Sequence, residues 1–413
     1  MKSSIKIFQV LAVLCGTLFF SCDTEDSIDP RYEDYFVKYY GEEGNQQGVD
    51  VEVLPDGYLL VGNSRATGQN SEIFIVRTDL LGNRIAYGTI SEGTEDLVAV
   101  DAVINDAGQL YIAAELRRGN GDVDIYVCSV SSNSISIGMT PDQVYVHDLT
   151  ESTYQDVPAS LTLVSNGDII VTGYTTNIDP LKPEGTSGED LTDIISLRLY
   201  PDLTEYGINE WRRIYGRNKA DYGHKVIERN GEFLFYASSY YASDPGTQGG
   251  LNLMVFPTNN IGVVSGGYKT YGSMNDEFGS DMIATSEGGS LLIANSNNRI
   301  LLTRLNIENN LVGFPAEIGQ SSVLSKSVFE ANNGGYLVVG NWSNANNSDF
   351  YLAKVSVGNE VEWERTFGGL DQDRVSKVRQ KVDGTILILG TIVLDSQEKM
   401  CLIKTNSSGD LQP

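Results

Sequence analysis

The sequence repeats a unit whose clearest copy reads WERTFGG (Trp363–Gly369), DQDRVSKVRQKVDG (Asp371–Gly384), TILILG (Thr385–Gly390) and MCLIKTNSSGD (Met400–Asp410). Seven copies of this unit lie between Tyr35 and Pro413. A repeat of roughly fifty residues is typical of solenoids and propellers, in which each unit buries its apolar faces against its neighbours. The repeat therefore predicts the architecture of the chain before any single residue is interpreted.

Two apolar runs in each copy predict two consecutive strands. The first run follows a tight turn in all seven copies, beginning at Gly57, Gly108, Gly167, Gly231, Gly289, Gly335 and Gly384. The second run ends in a cation or a polar residue in six copies, at Arg77, Ser129, Arg198, Arg304, Lys354 and Lys404, and in the remaining copy at Val255. Continuous β-branched and aliphatic runs between turn residues are typical of strands buried on both faces.

A third strand is predicted from an aromatic-glycine pair at its end. The pairs are Tyr40-Gly41, Tyr87-Gly88, Tyr215-Gly216, Tyr271-Gly272 and Phe367-Gly368, with the aliphatic Ile318-Gly319 in a sixth copy. Only the stretch from Val144 to His147 lacks such a pair. Together with the segment before each first apolar run, this gives four strands in each unit.

The two ends of the chain predict that the units close into a ring. The first unit is preceded by an extra aromatic-glycine strand, Tyr35 to Gly41, and the last unit stops after its third strand at Thr405. The N-terminal strand would therefore complete the last unit, whereas a linear solenoid would need polar caps. We predict an all-β fold, a seven-bladed β-propeller with four-stranded blades closed by the N-terminal strand.

The repeat, W-x-x-x-(F/Y)-G, an acidic residue, (D/N)-G and two apolar runs, resembles the bacterial seven-bladed propeller repeat family of secreted and surface proteins. The resemblance covers residues 35–413 and implies the fold and an extracytoplasmic location. It implies no particular activity, because one fold can host unrelated functions. The sequence has neither the Gly-Gly and Tyr/Trp pairing of kelch repeats nor a Trp-Asp dipeptide.

The N-terminus predicts export and lipid attachment. Two lysines precede an apolar stretch, Ile7 to Phe20, that is too short to span a bilayer, so residues 1–21 are interpreted as a signal peptide. Ser21 before Cys22 resembles a loose lipobox, and residues 22–34 would be the lipidated cysteine and an acidic tether. The tether resembles the surface-export signal of Bacteroidota lipoproteins, which implies an outer-membrane protein exposed at the cell surface. The alternative is an ordinary signal peptide with a chance cysteine.

Charge and cysteine content exclude several classes of protein. The formal net charge is -26, which disfavours binding to nucleic acid, although cations and basic proteins remain possible partners. Beyond Cys22, only Cys128 and Cys401 would remain in the mature chain. They fall in blades that are not neighbours, so we expect two buried free thiols rather than a disulfide.

The two faces of a propeller should differ. The connections between the first and second strands are tight in every unit, whereas two connections on the opposite face are long: Thr175 to Thr192 and Ser239 to Gly250. Long loops on a rigid scaffold often carry function. These neighbouring loops supply the candidate binding residues Asp179, Lys182, Glu184, Tyr240, Tyr241 and Asp244.

Acidic residues recur at the start of the innermost strands on the same face. The candidate channel-mouth residues are Asp96, Asp156, Asp221, His224, Asp276 (or its neighbour Glu277) and Asp373. A ring of carboxylates would suit calcium, but acids at such a position more often accept hydrogen bonds from turn amides. We therefore predict no metal ligands and no required cofactor. His224 could face the channel beside Arg374 or Lys377, or serve as a structural imidazole.

Three functions remain open at the level of the sequence. The first is a non-catalytic surface lipoprotein that binds a protein partner, for example as an accessory subunit of an outer-membrane complex or transporter. The second is glycan binding, for which Trp342 is the one tryptophan outside the fourth-strand column. The third is a lyase or glycoside hydrolase that works in the channel, but neither a nucleophile-elbow motif nor a zinc-protease motif is present.

Overall fold

Seven antiparallel sheets of four strands each make up the computed structural model of the protein. The structure describes residues 34–147, 154–176, 192–206, 211–217, 219–240, 250–344 and 347–412. Within these ranges the regular secondary structure is β-strand, and no helix occurs. The sheets are the blades of a propeller, so the predicted all-β, seven-bladed fold is confirmed.

Each blade is a meander that runs from an innermost strand a to an outermost strand d. Blade 1 contains β2 (Asn45–Leu54), β3 (Gly57–Arg65), β4 (Glu72–Asp79) and β5 (Arg84–Ile90). Blade 2 contains β6 (Asp96–Ile104), β7 (Gln109–Arg117), β8 (Val123–Ser131) and β9 (Gln143–His147). Blade 3 contains β10 (Asp156–Leu163), β11 (Ile169–Thr175), β12 (Asp193–Leu199) and β13 (Arg212–Tyr215).

The remaining blades follow the same order. Blade 4 contains β14 (Asp221–Arg229), β15 (Glu232–Ser239), β16 (Asn252–Thr258) and β17 (Lys269–Tyr271). Blade 5 contains β18 (Glu277–Ala284), β19 (Ser290–Ser296), β20 (Arg299–Leu305) and β21 (Ala316–Ile318). Blade 6 contains β22 (Val323–Glu330), β23 (Tyr336–Ser343), β24 (Ser348–Val355) and β25 (Val361–Phe367). Blade 7 contains β26 (Arg374–Gln380), β27 (Ile386–Leu394), β28 (Gln397–Thr405) and β1 (Phe36–Tyr40).

The N-terminal strand closes the ring as the sequence predicts. Strand β1 pairs antiparallel with β28, from Phe36 opposite Lys404 to Tyr40 opposite Met400. The inner strands β2 and β26 also contact each other, so blades 7 and 1 are neighbours. The first and last parts of the chain are therefore joined at the rim and at the centre of the ring.

One apolar cluster fills each of the seven interfaces between neighbouring blades. The cluster between blades 7 and 1, for example, joins Leu389 and Met400 to Val51 and Leu60. Both faces of the b and c strands are covered in this way, which explains why their sequences are continuous apolar runs. Cys128 and Cys401 lie in two such clusters, buried and unbonded, as predicted.

The structure corrects the sequence alignment of blade 1. Tyr87-Gly88 lies inside β5 and does not end it. Ile90 lies opposite Ile73 on the neighbouring strand. In blade 6 the equivalent position is occupied by Phe367, which lies opposite Phe350. The aromatic-glycine pair was therefore a misleading marker in this blade, because the strand continues for two further residues.

The chain order places the connections on two opposite faces. We call the face that carries the b–c and d–a connections the loop face, and the face that carries the a–b and c–d connections the turn face. The inner strands begin at the loop face, and the central channel opens there. No helix among the described residues is long and apolar enough to cross a membrane.

Candidate binding site at the channel mouth

Every inner strand carries a β-bulge at the same place. One extra residue interrupts the pairing of strands a and b in each blade, namely Val49, Val100, Ala159, His224, Ser280, Lys326 and Ser376. A bulge re-aims the side chains next to it and increases the local twist. Because all seven bulges are equivalent, they define two further rings of equivalent positions around the channel.

The floor ring consists of the residues that directly follow the bulges: Asp50, Asp101, Ser160, Lys225, Asp281, Ser327 and Lys377. Five of these seven side chains are charged. Lys377 Nζ lies 2.7 Å from Asp50 Oδ2 and 3.0 Å from Asp101 Oδ1, and Lys225 Nζ lies 3.0 Å from Asp101 Oδ2. The contacts of Asp101 with Lys225 and Lys377 each skip one blade, so these side chains meet at the propeller axis.

Two further side chains extend this floor network. Arg379 Nη2 lies 3.1 Å from Asp50 Oδ1 and 3.4 Å from Glu52 Oε1.

The ion pairs of the floor shift the pKa values of their members. Burial disfavours the charged form of Asp101, but the positive charges of Lys225 and Lys377 outweigh the effect of burial and hold the pKa of Asp101 well below its usual range. Burial also opposes the charge of Lys377, yet Asp101 and Asp50 raise its pKa. The network is a set of mutually dependent ion pairs that fills the centre of the ring.

The mouth ring consists of the residues two places before the bulges: Gln47, Val98, Val157, Tyr222, Phe278, Leu324 and Arg374. Blades 2 to 6 contribute only apolar or aromatic side chains, and we call these five residues the mouth crescent. Blades 7 and 1 contribute the polar remainder. Arg374 forms an ion pair with Glu398, and Gln47 donates to Glu398 Oε2 at 2.6 Å.

The mouth crescent is most open to solvent at its end in blades 5 and 6. Phe278 is 45% exposed and Leu324 is 41% exposed. The ring of Tyr222 lies 5.9 Å from that of Phe278 and 5.5 Å from that of Tyr174, whose edge it meets. Because exposed apolar residues that adjoin one another are unusual on a monomeric surface, this patch is a candidate binding surface.

Lys326 adds a positive charge beside the mouth crescent. It is the extra residue of the blade 6 bulge, and it is exposed to solvent. Desolvation and the nearby Arg374 lower the pKa of Lys326. Within the described part of the chain, no acidic side chain forms an ion pair with it. A protein of net charge -26 thus places an uncompensated cation on the inner strand of blade 6, two residues after Leu324.

Most of the predicted channel-mouth acids bind backbone amides. Asp221 accepts from the amide of Arg217 at 2.6 Å, and Asp373 accepts from that of Gly369 at 2.9 Å. Glu277, rather than Asp276, takes the equivalent place in blade 5 and accepts from Ser273. The sequence predicts such contacts for acids that accept hydrogen bonds from turn amides. Each carboxylate stabilises the d–a turn that precedes it.

Asp96 and Asp276 lie one residue earlier in their blades and bind a different connection. Asp96 accepts from the amide of Ser71 at 2.6 Å, and Asp276 accepts from that of Leu251 at 2.8 Å. Both amides belong to b–c connections of the preceding blade. Asp96 and Asp276 therefore form a second structural set beside Asp221, Glu277 and Asp373, rather than part of one ring of carboxylates.

Asp156 has the most strongly shifted pKa of the predicted acids. It is 2% exposed, and burial raises its pKa to about 6, assisted by the negative charges of Asp124 and Asp122. His147 Nε2 lies 3.9 Å from its Oδ2. His147 takes the place of the aromatic residue in blade 2, opposite Ile125. This carboxyl group and imidazole pack together between blades 2 and 3.

His224 is a structural imidazole rather than a group of the channel mouth. As the extra residue of a bulge, it turns sideways between blades 4 and 5, where its Nε2 lies 2.8 Å from Ser238 Oγ. Its ring packs against Tyr236 and Phe278. Burial lowers the pKa of His224 to about 3, so the imidazole is neutral at physiological pH.

Most of the predicted loop residues lie outside the described residues. These are Asp179, Lys182, Glu184, Tyr241 and Asp244, together with the predicted lipidation site Cys22. Tyr240 is described and is 40% exposed at the end of β15. In the described ranges, no group of three or more His, Cys, Asp or Glu side chains is placed to hold a metal ion.

Comparison with known proteins supports the fold and assigns no family. No protein-family model matches the sequence, and no curated protein matches it significantly. The chain is similar to the solved structure of a polysaccharide lyase, with 10% identity and a TM-score of 0.52, over 89% of this chain and 91% of that one. It is also similar to puromycin hydrolase, with 12% identity and a TM-score of 0.50, over 84% of this chain and 50% of that one. At such low identity these similarities show a shared fold and nothing about activity.

Proposed function

We propose that this chain is a non-catalytic, lipid-anchored protein of the outer membrane, exposed at the cell surface, whose loop face binds a partner protein. The observation that supports this proposal is the mouth crescent, because its exposed apolar side chains adjoin the rigid ion-pair network of the floor ring. The partner would be a subunit of an outer-membrane complex or transporter. The repeat resemblance to bacterial surface propellers and the acidic tether after Cys22 support the location.

The chemistry of the mouth limits what the partner can present. Phe278 and Leu324 would receive an apolar side chain, and Lys326 would pair with an acidic group next to it. A partner segment with an apolar residue and a nearby carboxylate fits this arrangement. Such a central apolar anchor with a charged neighbour is typical of the residues that dominate binding energy at interfaces.

The arrangement of acids and histidines favours binding over catalysis. Asp221 and Asp373 are engaged by backbone amides, and His224 is neutral and enclosed. A general acid or base must reach the proton that it transfers, and these groups face the protein interior. The enzymatic alternative, a lyase or glycoside hydrolase in the channel, has no comparable group of side chains in the described residues to support it.

The test is loss of a specific partner. The double variant Phe278→Ser with Leu324→Ser, and separately Lys326→Glu, should lose a protein that co-purifies with the wild type from detergent-solubilised envelopes. Phe314→Ser is the matched control, since Phe314 is 92% exposed on the turn face. The proposal fails if no protein co-purifies in proportion to the wild type, or if the mouth variants retain the partner as well as the control does.

The anchor is tested separately. Cys22→Ala should move the protein from the membrane fraction to the soluble fraction without changing its melting temperature, because residue 22 precedes the first strand of the propeller. Protease treatment of intact cells then distinguishes surface exposure from a periplasmic location. Unchanged membrane association of the variant would contradict lipidation at Cys22.

A further inference from the structure

The interface between blades 5 and 6 lacks a carboxylate that four other interfaces have. Four inner strands place an acid three residues before the bulge, namely Asp156, Asp221, Glu277 and Asp373. The other three have Gln46 in blade 1, Leu97 in blade 2 and Val323 in blade 6 at that position. The residue opposite Val323 on strand b is Trp342, whereas the residues opposite the acids of blades 3, 4 and 5 are Thr175, Ser239 and Ser296. The connection that precedes β22 therefore has no carboxylate from the inner strand to bind its amides.

A cavity of about 290 Å³ lies beside Val323 and Trp342. Its walls include Gln320, Val323, Trp342, Tyr351, Glu364 and Thr366. Gln320 belongs to the connection between β21 and β22, so the cavity lies on the loop face. Its volume is close to the lower end of the range of ligand pockets, which suits a single small ring. The cavity is distinct from the mouth crescent, with which it shares no residue.

The cavity combines one aromatic wall with several hydrogen-bonding groups. Trp342 is only half-buried, so part of its indole faces the cavity. Glu364 accepts a hydrogen bond from the Tyr351 hydroxyl through Oε1, which leaves its second carboxylate oxygen as an acceptor. The side chains of Gln320 and Thr366 make no hydrogen bond to another described group, so both can bind a ligand.

The charges at the cavity disfavour an anionic ligand. Arg365 also lines the cavity, but its guanidinium binds Asp410 through Nε at 2.8 Å and Nη2 at 3.3 Å. Its Nη1 donates to the carbonyl of Glu364 at 2.8 Å. The one cation at the cavity is thus already paired, and a bound carboxylate or sulfate would face Glu364 without compensation.

We propose that this cavity binds an uncharged saccharide unit. The apolar C–H face of a pyranose would stack on the indole of Trp342, and its hydroxyl groups would bind Glu364, Gln320 and Thr366. An apolar wall opposite a few convergent polar groups is the general form of a small-molecule site. The proposal does not depend on the partner-binding role of the mouth crescent, because the two sites use different blades and different chemistry.

Tryptophan fluorescence and calorimetry provide the test. The full-length protein in detergent is titrated with the methyl glycosides of common neutral hexoses, 6-deoxyhexoses and N-acetylhexosamines. We expect at least one glycoside to bind, with a change in fluorescence, since Trp342 is one of three tryptophans and Trp211 is buried. Trp342→Ala should weaken that binding by roughly tenfold or more, and Thr366→Ala and Glu364→Gln should weaken it by a smaller factor.

Trp363→Phe is the matched control, because Trp363 contacts the Arg365 guanidinium and packs towards blade 7. This variant should bind the glycoside within twofold of the wild type. The proposal is overturned if no glycoside in the panel binds at millimolar concentration, if only charged sugars bind, or if Trp342→Ala binds as well as the wild type. Thr366→Ala and Glu364→Gln keep the test decisive should Trp342→Ala fail to fold. Loss of sugar binding with an intact partner interaction would separate this site from the mouth crescent.

Discussion

The mouth ring and the floor ring line the same channel three residues apart in sequence, yet their chemistry is opposite. Phe278 and Asp281 illustrate the contrast within one inner strand, as do Tyr222 and Lys225 in another. In a regular strand, residues three apart would face opposite sides, but the bulge between them brings both towards the channel. One local irregularity, repeated in every blade, thus gives each inner strand an exposed contact position and a buried charged position.

The two rings differ in their exposure to solvent. The floor charges are largely buried, so they need polar partners. The ion pairs of Asp101 join blades that are not neighbours in the ring, and Asp281 accepts from the backbone amides of Met282 and Val328. Mouth residues are half-buried or exposed and carry no such constraint. The floor ring should therefore govern the stability of the closed propeller, and the mouth ring should govern binding.

The largest effect is expected from opening the ring. Deleting residues 34–42 removes β1, whose Phe36 and Tyr40 pack in the cluster between blades 7 and 1. The same interface contains the ion pair between Lys377 and Asp50. Loss of the apolar area of β1 should lower the free energy of unfolding by on the order of several kcal/mol. Thermal and urea unfolding would measure it.

Deletion of residues 23–32 is the control for this experiment. Those residues precede the propeller, so their loss should leave the melting temperature nearly unchanged. Equal melting temperatures for the two truncated proteins would show that β1 is dispensable and that the floor network alone holds blades 7 and 1 together.

The second prediction compares the two rings directly within blade 7. Lys377→Met should destabilise the protein by about 3–5 kcal/mol, because it leaves Asp50 and Asp101 buried without their common cation. Arg374→Met removes a cation from the mouth ring of the same strand, where the ion pair with Glu398 is partly exposed, and should cost less than about 1 kcal/mol. Chemical denaturation measures both. Similar losses for the two variants would contradict the division of roles between the rings.

The sequence predicted the fold because each blade repeats its apolar runs, and the unpaired strand at Tyr35–Gly41 predicted ring closure. It did not reveal the bulges, since an extra residue in one strand leaves no mark in composition. His224 shows the consequence: the sequence leaves open whether it faces the channel or is a structural imidazole, and its place as the extra residue of a bulge decides for the structural role. The mouth crescent was missed for the same reason, although aligning the inner strands at equivalent positions would have shown five apolar residues in succession.

The third prediction concerns pH at the interface between blades 2 and 3. Burial raises the pKa of Asp156 to about 6 from an ordinary value of 3.8. The folded state therefore keeps this proton in a range where the unfolded state has lost it. Stability from this group is fully present below about pH 4 and is lost as pH rises to about 6, a decrease on the order of 2–3 kcal/mol.

Asp156→Asn should flatten that part of the pH dependence. The amide stays neutral, so the variant should be nearly as stable as the wild type at pH 4 and more stable at pH 8, where the wild type buries a carboxylate near Asp122 and Asp124. Denaturation at a series of pH values gives the difference. If the variant and the wild type decline in parallel between pH 4 and pH 7, the pKa of Asp156 is not raised, and an ion pair with His147 at 3.9 Å would explain why.

The smallest effect on stability is expected from shortening the two long connections, between β11 and β12 and between β15 and β16. The residues that flank these connections form backbone hydrogen bonds at the starts of inner strands. The amide of Thr176 donates to the carbonyl of Gln155 at 3.0 Å. The carbonyls of Thr192 and Leu251 accept from the amides of Asp221 and Glu277, each at 2.9 Å. Replacing residues 177–191 and 243–249 with short Gly-Ser links keeps these contacts. Closing a shorter loop costs little, so the melting temperature should stay within a few degrees of the wild type.

The loop replacement also tests how far the binding surface extends from the mouth ring. If the loops contribute to partner binding, the shortened protein should lose part of the partner that Phe278→Ser with Leu324→Ser loses, while its floor network and stability stay intact. Quantitative co-purification beside thermal unfolding separates the two readouts. A partner retained in full by the shortened protein would confine binding to the mouth crescent and Lys326. A large fall in melting temperature would mean that these loops belong to the stability of the ring, contrary to the division of roles inferred from its inner strands.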